Sequence, residues 1–126
     1  MIKTKNFNPK TDPKLLCTCR HSECDQPSVD QETLDRVQLI RDDYGQPMRI
    51  TSGGRCQYHP NEITKLRPGD HQKLKAVDVF YSDIRQRNKL MVLAGRHGAT
   101  RVAVGSNFVH MAWTPTDDKS VPTWEY

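Results

Sequence analysis

Residues 53–70 run without helical or strand periodicity, opening on Gly53-Gly54 and nearing their end at Pro68-Gly69. Glycine and proline at both ends mark turns, so the stretch reads as one long loop. A loop of that length inside a compact domain is uncommon unless it carries function. Short elements must therefore flank it, and functional side chains are to be sought within it and at its ends.

The flanking elements follow from periodicity and caps. Residues 1–14 are polar, contain Pro9 and Pro13, and read as an irregular amino-terminal arm; residues 15–126 then make a single domain. Ser28 and Gln31 form a capping box ahead of Leu34, Val37, Ile40 and Tyr44, which predicts a helix over 29–44 stopped by Gly45 and Pro47. Residues 48–52 predict a short strand. Residues 75–80 predict another, with Ala76, Asp78 and Phe80 on one face and Val77 and Val79 on the other. Ser82 is expected to cap a second helix carrying Ile84, Leu90, Met91, Leu93 and Ala94 and ending by Gly95 or Gly98. Residues 100–104 and 107–113 read as a hairpin around Gly105-Ser106. The expected class is α+β: a small antiparallel sheet with helices packed on one side.

Composition limits what holds such a fold together. Of 126 residues only 35% are hydrophobic, and the mean hydropathy is -0.79, so the core is thin and metal or disulfide support would help it. A net charge of +4 mildly favours anionic partners such as nucleic acid or bacterial wall polymers. The basic residues are scattered, without interleaved aromatics, so no nucleic-acid partner is expected. No apolar stretch reaches membrane-spanning length, and the Lys-rich start is not followed by the apolar region of a signal peptide, so soluble cytoplasmic synthesis is expected.

Two residues at the loop end carry metal-ligand chemistry. His71 and Asp78 are seven residues apart, which is roughly 10 Å along a helix or 23 Å along a strand. Ligands of one zinc lie about 3 to 4 Å from each other, so the chain must turn back between them. Asp78 sits in an apolar strand, and His110 lies mid-strand with Phe108 and Ala112 on its face. Neighbouring antiparallel strands would bring His110 beside Asp78 and complete a His-Asp-His set with a fourth position left for water. A lone mid-strand histidine is more often a hydrogen-bonded core residue, and spacing alone leaves that alternative open.

Cys17, Cys19 and Cys24 form a compact group with His21, and Cys56 follows in the long loop. Reduced thiols, a disulfide, or a structural metal site are all compatible with Cys-x-Cys-x4-Cys, which is not a standard zinc knuckle.

Ile50-Thr51-Ser52-Gly53-Gly54-Arg55-Cys56, Asp70-His71 through Ala76-Val77-Asp78, and Phe108-Val109-His110 occur in that order. Together they resemble the zinc D-Ala-D-Ala carboxypeptidase family. That family includes phage L-alanyl-D-glutamate endolysins and shares its fold with the hedgehog signalling domain. The resemblance covers roughly residues 15–113 and implies a Zn2+ ion on His71, Asp78 and His110. It also implies hydrolysis of an amide bond in a peptidoglycan stem peptide. Arg55 would hold the developing oxyanion or a substrate carboxylate, and is expected to matter for turnover rather than folding. Ser52 would orient the peptide. A monomer made without a signal peptide, acting at the cell wall after release or within a virion, fits this reading. The alternative is a non-catalytic, zinc-stabilised wall-binding or virion-associated module.

Four positions depart from the family pattern. Gly54 stands where the family has Tyr, and Leu74 where the His-to-Asp stretch usually has Gly. The general base, commonly a carboxylate three residues before the last His or two after it, is replaced by Asn107 and Ala112. Neither takes a proton at neutral pH. His59 and Asp70 are the first alternatives for the base, ahead of His97 and Glu125.

Overall fold

Asp30 starts the first helix, α1 (Gln31–Tyr44), by accepting the Thr33 N–H at 2.8 Å. The expected capping box at Ser28 and Gln31 is thus replaced by a single cap two residues later. Ser28 instead donates to the Val29 carbonyl and lies in an isolated bridge with Leu16. Leu34, Val37, Ile40 and Tyr44 are buried along one stripe, and Gly45 (φ 73) closes the helix in the left-handed conformation. The second helix, α2 (Ile84–Arg96), is capped by Asp83 rather than Ser82, and buries Leu90, Leu93 and Ala94 while Ile84 stays exposed. An aspartate side chain is as good an acceptor as serine, and in both helices it lies next to the first helical residue.

The strands are β1 (Ile50–Ser52), β2 (Ala76–Phe80), β3 (Arg101–Val104), β4 (Phe108–Ala112) and β5 (Thr123–Glu125), in sheet order β1-β2-β4-β3-β5. The first four pair antiparallel, whereas β5 lies parallel to β3. The computed structural model describes residues 2–115 and the backbone of 123–125. Among the described residues no helix is long and apolar enough to cross a membrane.

Strand alternation divides the sheet into two faces. Val77 and Val79 of β2, Val102 of β3, and Val109 and Met111 of β4 join the apolar residues of α1 and α2 in one core. Each such fully buried aliphatic side chain contributes about 1.5–3 kcal/mol. The helices therefore cover one face, as expected. The other face carries Ala76, Asp78, Phe80, Phe108, His110 and Ala112 and is approached by the chain between β1 and β2, which holds no helix or strand. The amino-terminal arm has no regular element before the 3-10 turn Pro13–Leu15, yet it is packed: Phe7 is buried in the core and Gln38 of α1 binds Thr4 and Asn6.

Candidate metal centre

Asp78 and His110 sit directly opposite each other in the β2–β4 ladder, on the face turned away from the helices. Ser52 pairs with Asp78 from the other side, across an irregularity in β1. His71 arrives from the loop. Its carbonyl accepts the N–H groups of Arg55 and Leu74, and the Lys75 N–H returns to the Asp70 carbonyl, which closes a tight reversal just before β2. Leu74 makes that reversal at φ 66. The position where the family carries Gly thus keeps a left-handed backbone, and Leu bears the strain.

The three side chains converge. Asp78 Oδ1 is 3.1 Å from His71 Nε2 and 3.0 Å from His110 Nδ1, and the two nitrogens are 3.1 Å apart. All three residues are buried. The far side of each ring is also engaged. His71 Nδ1–H donates to the Gly53 carbonyl at 2.8 Å, and His110 Nε2–H donates to Asp70 Oδ2 at 3.1 Å. Those outer bonds select the tautomers whose lone pairs point inward, toward each other and toward a carboxylate oxygen.

Such an arrangement calls for a cation. Burial alone would raise the Asp78 carboxyl, but the His110 and His71 imidazoles hold it far below the usual carboxylate range. Burial likewise opposes protonation of His110, and Asp70 and Asp78 outweigh it, leaving its pKa raised. Without metal the centre thus favours a proton. With metal, two imidazole nitrogens and one carboxylate oxygen suit zinc. Their separations are close to the roughly 3.3 Å edge of a tetrahedron whose ligands lie about 2.0–2.1 Å from its centre. Three protein donors leave a four-coordinate ion one position for water or substrate.

Arg55 borders this centre. Its guanidinium donates to Ser52 Oγ and to Glu62 Oε2, both at 3.2 Å, and stands 3.9 Å from Asp78 Oδ2. Arg55, Asp78, Phe108, Pro60, Asn61 and Thr64 line a cleft of roughly 490 Å³. Glu62 is the residue that sequence reasoning missed. It is 3% exposed and accepts from Lys65 Nζ at 3.0 Å as well as from Arg55. An acid in a polar loop looks solvated in sequence; only the folded loop buries it.

The candidate bases fall in different places. Asp70 is buried behind His110, held below its ordinary pKa because the His110 interaction overcomes the effect of burial. His59 is half-buried with Nδ1 accepting the Asn61 N–H, and burial followed by the Arg55 charge pushes its pKa down. His97 caps the end of α2 and contacts Asp43 at 2.7 Å. The Glu125 side chain lies outside the described residues. Asn107 is exposed, with its carbonyl accepting the Tyr81 N–H, while Ala112 is fully buried between Ala76 and Arg101 in the sheet register. The four cysteines are free thiols that meet beside the Arg55 loop.

The family model for Peptidase M15 matches residues 9–112. No match was found among curated proteins, and none among solved structures.

Proposed function

The chain belongs to the peptidase M15 family and is a zinc metallopeptidase, and from that premise we propose that it hydrolyses an amide bond in peptidoglycan stem peptides, with the ion held by His71, Asp78 and His110. The observation that carries the assignment of the ligands is the pair of outer hydrogen bonds, from His71 Nδ1–H to the Gly53 carbonyl and from His110 Nε2–H to Asp70, which turn both free lone pairs onto Asp78. Zinc bound there supplies Lewis acidity toward a carbonyl oxygen and lowers the pKa of water toward 7.

The protein's own groups do the rest. Gly53 and Asp70 engage the outer N–H of each imidazole, so that the inner nitrogens are the ones offered to the ion. Arg55 brings a permanent positive charge to the cleft beside Asp78, suited to a peptide carboxylate or a developing oxyanion. Ser52 steadies the guanidinium, so it acts through Arg55 in this arrangement. Phe108 and Pro60 give the cleft apolar walls that fit a small side chain such as that of alanine. Stem peptides combine small side chains with carboxylates, and the net charge of +4 favours an anionic wall.

A second reading, a wall-binding module without turnover, is favoured by Asn107 and Ala112 at the two usual base positions. The test is chromatography and mass spectrometry of muropeptides incubated with zinc-loaded protein. New amine and carboxylate products, lost on chelation, restored by zinc and absent in His71→Ala, Asp78→Ala and His110→Ala, support the peptidase. Retention on sacculi with no product from the fully loaded chain would assign it to the binding class.

A further inference from the structure

From Thr18 to Gln26 every side chain is exposed except those of Cys19 and Cys24, which are half-buried. This loop has no apolar core of its own. Its inward-facing groups are thiols, and they meet the buried Cys17 and Cys56 so that the four sulfurs all lie within 4.8 Å of one another. Cys56 Sγ is 3.4 Å from Cys19 Sγ and 3.7 Å from Cys17 Sγ. Zinc–sulfur bonds of about 2.3 Å give a tetrahedral edge of roughly 3.8 Å, close to these separations. A disulfide would join one pair and leave two thiols pressed against it; here Cys56 is shared between two neighbours.

The backbone points the same way. Cys24 Sγ accepts the Gln26 N–H at 3.3 Å, and the amides of His21 and Tyr58 likewise serve Cys19 and Cys56. In all three cases the donor is two residues after the cysteine. Amide dipoles aimed at sulfur support thiolate charge and orient metal ligands. The loop also holds Arg20 at φ 62 and Gln26 at φ 53, left-handed positions that are sterically unfavourable for non-glycine residues. Apart from the thiols, the loop sets against that cost the His21 ring stacked on Tyr58 at 4.3 Å and the Glu23 carboxylate that accepts from the Tyr58 hydroxyl.

We propose that Cys17, Cys19, Cys24 and Cys56 bind a second, structural zinc ion that clamps the amino-terminal cysteine loop onto the segment carrying Arg55. Each thiol releases its proton to solvent as its sulfur takes up the ion, leaving four thiolates around one Zn2+. The clamp accounts for Gly54. A Cβ there would lie 2.3 Å from the Pro27 carbonyl oxygen, so the chain leaving the cysteine loop occupies the space a tyrosine needs. Cys56 follows Arg55 directly, and the second ion thereby fixes the guanidinium from outside the catalytic centre.

The test uses the full chain purified under reducing conditions with zinc supplied, and elemental analysis of bound metal. The parent is expected to carry two equivalents and the His71→Ala/His110→Ala variant one. Cobalt added to that metal-stripped variant should give intense tetrahedral visible bands with thiolate-to-metal charge transfer in the near ultraviolet. Adding Cys19→Ser/Cys24→Ser should remove the remaining equivalent. If the serine variant does not fold, the zinc content and cobalt spectrum of the histidine variant decide alone. A reduced histidine variant that holds no zinc and shows no thiolate band overturns the proposal, and this outcome is independent of whether the protein cleaves peptidoglycan.

Discussion

Arg55 is tied to folding as well as to the cleft, because it is one of two cations, with Lys65, that pair with the buried Glu62 carboxylate. The sequence suggests a residue that matters far more for turnover than for folding; the buried pair with Glu62 predicts an effect on both. Arg55→Ala is expected to lower kcat/KM for a muropeptide about a hundredfold or more, and also to destabilise the fold by about 2 to 4 kcal/mol, since a buried carboxylate loses one of two partners. Adding Glu62→Ala should restore most of the melting temperature and none of the activity; recovery of both would make Arg55 purely structural. Asp70 poses the complementary question. If it orients His110, Asp70→Ala weakens zinc binding about 10- to 100-fold, as measured by competition with a chromophoric chelator. Unchanged zinc affinity with a large loss of hydrolysis would instead make Asp70 the proton acceptor.

At the scale of elements, the stretch from Asp70 to Lys75 decides whether His71 meets β2. Leu74 is its pivot at φ 66. A β-branched residue is worse there than leucine, so Leu74→Ile should cost about 1–2 kcal/mol despite equal volume. Leu74→Gly, which relieves the backbone but loses a half-buried side chain, should stay within about 0.5 kcal/mol of the parent. Equal losses for both would show that packing, not backbone, governs the site. The stretch is also held by Asp30, whose N–H binds the Leu74 carbonyl and whose carboxylate lies 2.6 Å from Lys75 Nζ. Burial alone would raise the Asp30 carboxyl; Lys75 and the Thr33 amide more than offset this and lower it. The hydrogen bond to Asp30 in turn raises Lys75. A depressed acid contributes fully above its unfolded pKa of about 3.9, and its contribution disappears as the pH falls through the folded value. A raised amine contributes fully below about 10.4, and its contribution disappears as the pH climbs through its folded value. Asp30→Asn keeps the cap but loses the ion pair. Its deficit in melting temperature should be level from about pH 5 to 9 and vanish near pH 2; a deficit that persists in acid would place the effect in the cap.

Across the whole molecule, what is legible in the sequence is what periodicity encodes. The alternation of Val77 and Val79 with Asp78, and of Val109 and Met111 with His110, already separates a core face from a chemical face, and the ladder places Asp78 opposite His110. Helix starts were displaced by one or two residues because Asp30 and Asp83 compete with the neighbouring serines as caps. The burial of Glu62 and the meeting of four cysteines depend on how an aperiodic loop returns to the sheet, and no local pattern records that. The same distinction bears on the missing base. Ala112 shares a strand face with His110, which in sequence makes it a natural place to restore a carboxylate. The cleft, however, is lined by Phe108 and Asp78, toward the start of β4, whereas Ala112 is fully buried toward its end. Substrate that enters by this cleft would approach His110 from the Phe108 end of β4, next to Asn107 in the chain. Asn107→Glu is therefore expected to raise the muropeptide hydrolysis rate about 10²-fold or more, as general-base help typically does, at unchanged zinc content. Ala112→Asp should bring no gain and lower the melting temperature, because it places a carboxylate in a fully buried position. The reverse outcome, activation by Ala112→Asp alone, would show that substrate reaches the centre from the opposite end of the strand. A wild-type enzyme already fast and slowed by Asn107→Glu would show that a base is in place, with His59 the next residue to replace.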